Sequence, residues 1–475
     1  MTDRAIIVLD IGKTWSKASL WNSDGSLIAK RARSNEPQEA AGYLALDAAR
    51  IETWLAQTLR EFAGLANVGG IIPVTHGAGA ALVRQGSLLL PPMDYESPIP
   101  SAIRSAYDTL RDPFVRTGSP VLPDGLNLGA QLYFLQTLYP QAFSLGTQIM
   151  PWAQYWSWIL SGVGCTEVTS WGCHTDLWCP AAGAYSALAA SRGWTALMPP
   201  LRRAGEALGQ LLPSWRNLTG LPADTTVFCG LHDSNAALMA ARGFPQITAT
   251  DATVLSTGTW FVSMRTPATP LPLSAIPEGR DCLMNVDAFS TAIPSARFMG
   301  GREIELLTGI DARRIDIKPD QPELLAAIPA VVDSHCMVAP TLAPGTGPYP
   351  HGRGRWLSLP DDRMHARAGV CLYAALLADT SLSLIGARGA LLVEGRFAES
   401  DAFVRALAAL RPDTTVYTAN AHSDVSYGAL RLLDPALPPP GQLSVAQKIQ
   451  VDLTEYRAQW QVEAARMPPL DAVIT

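Results

Sequence analysis

The chain has no long apolar run. Its longest hydrophobic stretches are short or broken by Gly and Pro, so no membrane-spanning helix is expected. It also has no block of like charges, and Lys+Arg 36 against Asp+Glu 42 leaves a net charge of −6. A nucleic-acid partner would need a basic patch, so none is expected. Cysteine is sparse and odd in number, seven in all, scattered through strand- and helix-like contexts. That pattern excludes a paired disulfide framework and reads as buried free thiols in a reducing cytoplasm. The one loose cluster of metal-binding residues, Cys173-His174 with Cys179, fits no zinc spacing and has no second Cys/His pair nearby in sequence. No low-complexity segment or Gly/Ser linker is present, so any domains must join through short connections. The first strand-like run starts within a few residues of Met1. No signal peptide or N-terminal helix-turn-helix is therefore expected there.

With 475 residues, 48% of them hydrophobic, the chain is long enough for two or more domains with ordinary cores. Two stretches look like one device used twice. The first is Ala5-Ile-Ile-Val-Leu-Asp10-Ile-Gly12-Lys13-Thr14-Trp-Ser-Lys17, the second Ala252-Thr-Val-Leu-Ser256-Thr257-Gly258-Thr259-Trp260. Each is an apolar strand entering a glycine-centred, hydroxyl-rich turn and then a second strand. Gly12 and Gly258 are expected at positive φ, with turn N–H groups free for a phosphate oxygen. Ser256 lies 246 positions after Asp10, which suggests a duplicated domain with a nucleotide clamped between the halves.

The pattern between the turns supports duplication. Residues 5–10 read as a strand buried on both faces, and 17–21 and 26–31 as further strands joined by the turn Asn22-Ser-Asp-Gly25. Residues 47–63 have helical periodicity, and 70–74 form another strand. The Pro- and Trp-rich middle, 80–220, reads as loops with helices at 126–138 and 153–160. A strand at 225–229 leads through His232 and Asp233 to a helix over 234–242, stopped by Gly243 and Pro245. The chain is expected to cross to a second domain near 246–250. A hairpin at 252–264, helices at 363–388, 400–410 and 425–433, and strands at 390–393 and 415–418 then repeat the plan.

Asp10-x-Gly12 with Thr14 and Lys17 resembles the first phosphate motif of the FGGY carbohydrate kinases. Ser256-Thr257-Gly258-Thr259 resembles their second. Gly230-Leu-His232-Asp233-Ser-Asn is similar to the segment that carries their catalytic aspartate. The resemblance implies an α/β fold of two ribonuclease-H-like domains, of the actin/hexokinase/sugar-kinase kind, with a deep cleft between them. The expected domains are 1–246, with sugar-binding insertions, and 247–475, binding nucleotide. ATP and Mg²⁺ are the implied cofactors. The implied partner is a small sugar, with a preference for ketoses of five or six carbons, 6-deoxyketohexoses included. A homodimer is allowed, and the expected compartment is the cytoplasm.

Residue by residue, alternatives stand beside these roles. Asp10 is either a strand-terminal Asp bonding turn N–H groups or a carboxylate holding Mg²⁺ through water. Asp233 is either the cap of the following helix or the base for a sugar hydroxyl and a second metal oxygen; Ser234 could take the cap instead. Gly12, Thr14, Thr257, Gly258 and Thr259 are candidate phosphate contacts. Lys13, where the family more often has Thr, faces phosphate or solvent, and Lys17 neutralises phosphate or is a solvated strand residue. Gly395 and Arg396 match the place of the adenosine motif, although Glu394 replaces its first Gly, and Asn420 is a further candidate there. Gly300-Gly301 opens a helix that is either an anion site or a flexible cap. For the sugar, the resemblance points to His76, Gly77, Asp94, Gln154, Tyr155, Asp176 and His232, with Glu167, Thr169 and His174 in a further segment; ordinary loop chemistry is the alternative for each. The rival reading from another class is a non-catalytic sugar- or nucleotide-sensing protein on the same fold.

Overall fold

The computed structural model describes residues 4–248, 251–311, 315–420, 425–439 and 441–466. The chain divides into two compact units. The first comprises Met1–Gly243, Met284–Ala292 and Asp424–Pro438; the second comprises Phe244–Leu283, Ile293–Ser423 and Pro439–Thr475. The crossing expected at 246–250 falls partly on 249–250, outside the described residues.

In the first unit β1 (Ala5–Ile11) is buried along its whole length. Its nearly unbroken apolar run has no wet face, so it sits inside the sheet. β2 (Trp15–Trp21) and β3 (Leu27–Ser34) continue it as an antiparallel meander. α1 (Ala48–Ala63) turns Ile51, Leu55, Leu59 and Phe62 to the core, and Asp47 caps it by accepting the Arg50 N–H. β4 (Val68–Thr75) lies parallel to β1. A long excursion, which includes α2 (Trp152–Ser161), returns as β5 (Ala207–Gln210), β6 (Thr226–Phe228) and β7 (Leu231–His232). Both β6 and β7 run parallel to β4, and α3 (Asp233–Ala241) starts directly from β7.

The break between β6 and β7 requires glycine. Gly230 has φ +84°, and a Cβ there would lie 2.3 Å from the Pro73 carbonyl oxygen. The kink leaves strand carbonyls without ladder partners. Gln154 Nε2 donates to the carbonyls of Cys229 and Gly230, 3.1 Å each, and Ser157 Oγ donates to that of Cys229 at 2.7 Å.

The second unit repeats the plan. Its sheet is built from β8 (Ala252–Thr257), β9 (Phe261–Thr266), β10 (Cys282–Val286) and β11 (Ala292–Phe298), although Met284–Ala292 are grouped with the first unit. Then come α4 (Gly300–Thr308), α5 (Gln321–Asp333), α6 (Arg363–Leu384), β12 (Gly389–Gly395), α7 (Asp401–Leu410) and β13 (Thr414–Ala419). α8 (Val425–Leu433) belongs to the first unit; β14 (Leu443–Val445) and α9 (Thr454–Ala465) complete the second. The sheets are ordered β5-β6-β4-β1-β2-β3 and β10-β11-β9-β8-β12-β13-β14. Read from β3 to β5, successive pairings are antiparallel, antiparallel, parallel, parallel, antiparallel. From β11 to β14 the series is the same. The duplication suggested by the two hairpins is thus a duplication of whole sheets, each with the ribonuclease-H-like order.

α6 ends at Leu384, short of residue 388, because Gly386 turns to φ +65° and the Ala387 N–H reaches back to the Leu382 carbonyl. α8 packs on α3 so closely that a Cβ on Gly428 would lie 1.7 Å from the Ala236 carbonyl oxygen. Among the described residues no helix is long and apolar enough to cross a membrane. The seven cysteines are free thiols, six of them buried.

Candidate active site

In the first unit three parallel strands end at one edge. Val74 of β4 pairs with Asp10 of β1 on one side and with Leu231 of β7 on the other. Asp10, His76-Gly77 and His232-Asp233 therefore emerge together at the carboxyl ends of neighbouring strands, where open α/β sheets hold their ligands. Asp10 is 7% exposed, and the Nζ of Lys17, its cross-strand partner, stands 3.0 Å from its Oδ2. Lys17 thus pairs with Asp10 while 41% of its side chain stays exposed.

Asp233 is the first residue of α3. Neither it nor Ser234 occupies the cap position, which falls to His232 without a side-chain bond. Chain direction decides this, since the helix begins without a turn after β7. Asp233 Oδ1 accepts the Ser234 N–H (2.6 Å) and hydroxyl (3.3 Å), and His232 Nε2 lies 3.2 Å away. Oδ2 takes no hydrogen bond among the described residues. A third of the side chain, 32%, reaches solvent, yet the surrounding protein pushes the carboxyl up to about 6. Burial is the main cause; the Ser234 N–H, its hydroxyl and Lys17 pull the other way.

Two imidazoles beside it stay neutral. Burial pushes His232 down to about 4. It pushes His76 down to about 3, helped by His232, Lys13 and His174. Both ring nitrogens of His76 and the Nδ1 of His232 are buried without hydrogen-bond partners among the described residues. His76 meets the Tyr95 ring edge-on, centroids 5.5 Å apart. Gly77 must be glycine, since a Cβ there would stand 2.8 Å from His232 Nε2.

The first hairpin is stapled from outside. The Gly12 N–H donates to the Trp15 carbonyl (3.0 Å). Asn35 Nδ2 donates to the Gly12 carbonyl (2.8 Å), Ser16 Oγ to Asn35 Oδ1 (2.9 Å), and the Asn35 N–H to the Thr14 carbonyl (2.8 Å). The positive φ expected at Gly12 and Gly258 is found at neither, because the bond from each glycine N–H to the Trp15 or Trp260 carbonyl closes the turn without it. The Thr14 side chain is exposed. Beside the turn lies a cavity of about 210 Å³ lined by Gly12, Lys13, Asn35, Asp94, Glu96 and Trp152 among others.

Four expected sugar contacts carry structural duties. Asp176 holds Arg111 through two bonds (2.8 and 2.9 Å) and accepts the Tyr107 hydroxyl, and it is 1% exposed. Gln154 is fully buried and its Nε2 props the Cys229–Gly230 kink. Tyr155 stacks on Trp152 (5.1 Å, 7°) inside the core. Asp94 Oδ1 accepts the Glu96 N–H (2.8 Å) and faces Lys13 Nζ at 3.2 Å. Glu167 and Thr169 stand behind His232: Thr169 Oγ1 accepts the His232 N–H at 3.0 Å and donates to Glu167 Oε2. Burial pushes the Glu167 carboxyl up to about 7. His174 Nδ1 lies 2.7 Å from the Leu126 carbonyl.

In the second unit the Thr257 hydroxyl is engaged inside the sheet. It donates to the Glu394 carbonyl (2.6 Å) and accepts the Phe397 N–H (2.9 Å). Glu394, in register with Ser256, accepts the Ser256 hydroxyl. The Gly258 N–H donates to the Trp260 carbonyl (3.0 Å), and the Thr259 side chain is exposed. α4 meets this turn end-on: a Cβ on Gly301 would lie 2.1 Å from the Gly258 carbonyl oxygen. Gly395 has φ +82°, and a Cβ on it would lie 2.2 Å from the Thr257 carbonyl oxygen. A small cavity brings together Gly258, Thr259, Gly301, Arg302, Arg396 and Phe397. Phe397 also lines an apolar cavity with Ile304, Thr308, Ile317, Val370 and Phe403. Arg396 is held by Glu399 (2.8 Å) and the Ile315 carbonyl. Asn420 lies just past the end of β13, its Oδ1 accepting the Gln442 N–H at 2.7 Å. Asn35 escaped the sequence reading, since it belongs to no motif.

Comparisons with known proteins bear on the family and the fold. Residues 249–440 match the family described as carbohydrate kinase FGGY, C-terminal domain. A crystal structure of a carbohydrate kinase from Novosphingobium aromaticivorans is 55% identical, with a TM-score of 0.93, over 96% of this chain and 100% of that one. L-fuculokinase of Escherichia coli (strain K12) is 27% identical over 285 residues, 56% of this chain and 57% of that protein. The chain thus matches little more than half the length of that curated relative. The ligand-bound xylulose kinase of Lactobacillus acidophilus shares the fold at 15% identity, with a TM-score of 0.78 over 97% of this chain and 96% of that one.

Proposed function

The chain belongs to the FGGY carbohydrate kinases, and from that premise we propose that it transfers the γ-phosphoryl group of ATP to a hydroxyl of an uncharged ketose of five or six carbons. The observation that carries the reading is Asp233. Among the described residues its Oδ2 is open and both His76 nitrogens and His232 Nδ1 have no protein partner, and its carboxyl is pushed up to about 6. Phosphoryl transfer needs an aligned hydroxyl, an acceptor for its proton and neutralised phosphate charge. Asp233 takes the hydroxyl proton at Oδ2, while the Ser234 N–H and hydroxyl fix Oδ1. His76, neutral, presents a donor and an acceptor to sugar hydroxyls.

The nucleotide reading rests on the second unit. Phosphate oxygens meet the turn at Gly258-Thr259 and the N-terminus of α4, where N–H groups and the helix dipole favour an anion. The base enters the apolar cavity beside Phe397. Mg²⁺ fits Asp10 and Asp233 as hard oxygen donors at one strand edge, because that ion keeps most of its shell for water and phosphate. Among the described residues no group of three or more His, Cys, Asp or Glu forms a protein cage for it. When bound, the ion neutralises charge on the transferring phosphate.

Charge supports a neutral acceptor. Asp10, Asp94, Glu96 and Asp233 outnumber Lys13 and Lys17 around these strand ends, and His76 and His232 carry no charge. A sugar acid is therefore expected to be phosphorylated at least about tenfold less efficiently than a ketose of equal length. Glycerol is expected to lose by about tenfold to a hundredfold, because it leaves buried nitrogens of His76 and His232 unpaired. The test is ADP release across pentuloses, 6-deoxyketohexoses, glycerol and an aldonate, read as kcat/KM. Glycerol or the aldonate winning removes the ketose assignment; no turnover with any of them, despite ATP binding, removes the kinase assignment.

A pH profile checks the base separately. Asp233 must be ionised to take a proton, so kcat/KM is expected to be flat above pH 7 and to fall as pH drops through about 6. A profile that stays flat to pH 5 would remove Asp233 from that role.

A further inference from the structure

We propose that Lys13 is a positioning residue of the acceptor pocket and not a phosphate ligand. It clamps residues 94–97 onto the first hairpin and so sets the wall formed by Tyr95 and His76. The proposal rests on the kinase reading above. A lysine at the apex of a phosphate turn would ordinarily point at the anion. Here its Nζ lies 3.2 Å from Asp94 Oδ1, pairs with Glu96 Oε2, and stands 4.5 Å above the centroid of the Tyr95 ring. Three consecutive residues of one loop thus receive the same ammonium, and only 17% of the lysine side chain is exposed. Two carboxylates already match its single charge, which leaves little attraction for a phosphate.

The loop it grips is stiff. The Asp94 N–H donates to the Leu44 carbonyl (2.9 Å) and the Ser97 N–H to the Asp94 carbonyl (2.9 Å). Asp94 Oδ1 also accepts the Glu96 N–H at 2.8 Å, and Asp94 is 2% exposed. Such a turn moves as one piece, and Lys13 fixes its distance from the hairpin. Tyr95 carries that position on to His76, whose ring it meets edge-on at 5.5 Å. Without the ammonium, Asp94 is a buried carboxylate beside Glu96 with no ion-pair partner among the described residues, and the loop lifts from the hairpin. The face of Tyr95 loses its cation as well.

The test uses the full chain with Lys13→Thr, Lys13→Met and Lys13→Arg. The ATP Kd of each, measured by calorimetry without sugar, is expected within about threefold of wild type. Acceptor KM for the best ketose is expected to rise about 10–100-fold in the Thr and Met variants, with kcat changing less, and Lys13→Arg is expected to recover part of the loss. Asp94→Asn should raise the same KM, and its combination with Lys13→Met should add little further, because both remove one clamp. An ATP Kd weakened by about tenfold or more in Lys13→Met, or an acceptor KM that stays at wild type, overturns the proposal. If the wild-type protein turns over no sugar, the kinase reading has failed. The ATP Kd of Lys13→Met still decides on Lys13: an unchanged value supports the clamp, and the tenfold loss overturns it.

Discussion

Asp233→Asn is expected to keep the fold and ATP binding while lowering kcat by roughly 10²–10⁴-fold, the scale of a lost general base. Asn preserves the oxygen that accepts the Ser234 N–H, so the start of α3 is retained. It cannot take a proton. Stability gives a second reading of the same variant. Burial raises the folded-state pKa of Asp233 to about 6, above the ordinary carboxylate value, so the ionised form is disfavoured in the fold. The sign follows: this group's contribution to stability is fully present below about pH 4 and is lost as pH rises through about 6. At pH 8 the Asn variant is therefore expected to melt no lower than wild type, with any advantage shrinking on acidification towards pH 4. Activity lost with Tm unchanged or raised identifies a residue kept for chemistry. Turnover near the wild-type rate would leave Asp233 as part of the helix start only.

Gly258→Val is expected to weaken ATP binding by about 10²-fold or more, the loss of one or two charge-assisted hydrogen bonds, while the protein stays folded and Asp233 keeps its titration. The structure changes the reason for this expectation. Gly258 is not at positive φ, and a Cβ on it meets nothing closer than the Trp260 carbonyl oxygen at 3.7 Å. The backbone tolerates a side chain there; a phosphate approaching the turn, as proposed, would not. Gly301→Val differs, because its Cβ would lie 2.1 Å from the Gly258 carbonyl oxygen. It should lower Tm as well as ATP affinity. Calorimetry and thermal melting on the two variants separate the effects. Unchanged ATP affinity in Gly258→Val would remove the second hairpin from the nucleotide site.

Much of this protein is legible without coordinates. The unbroken apolar run of β1, the Gly-Thr turns and the Gly243-Pro245 stop signal act over a few residues, and local chemistry of that kind can be read from order alone. Asp233 is legible for the same reason, since a strand and a helix flank it directly. The long-range partners of several candidate sugar contacts were not. Asp176 is engaged by Arg111, 65 positions away, and Gln154 by the kink at Cys229, 75 positions away. Tyr155 looks like a sugar-facing aromatic until Trp152 is stacked on it. Asn420 matches the adenosine motif's neighbourhood, but its side chain accepts the Gln442 N–H just past the end of β13.

By itself the sequence determined the duplicated hairpins, the order of strands and helices, and the aspartate that joins β7 to α3, because turn chemistry and periodicity are local properties of a chain. Only the tertiary structure decided that Lys13 turns to Asp94, Glu96 and Tyr95, that the Thr257 hydroxyl is closed within the sheet while Thr259 is exposed, and that α8 and Met284–Ala292 belong to the first unit. A buried polar group is open to a ligand only when no other group has reached it first, and its competitors come from residues far along the chain.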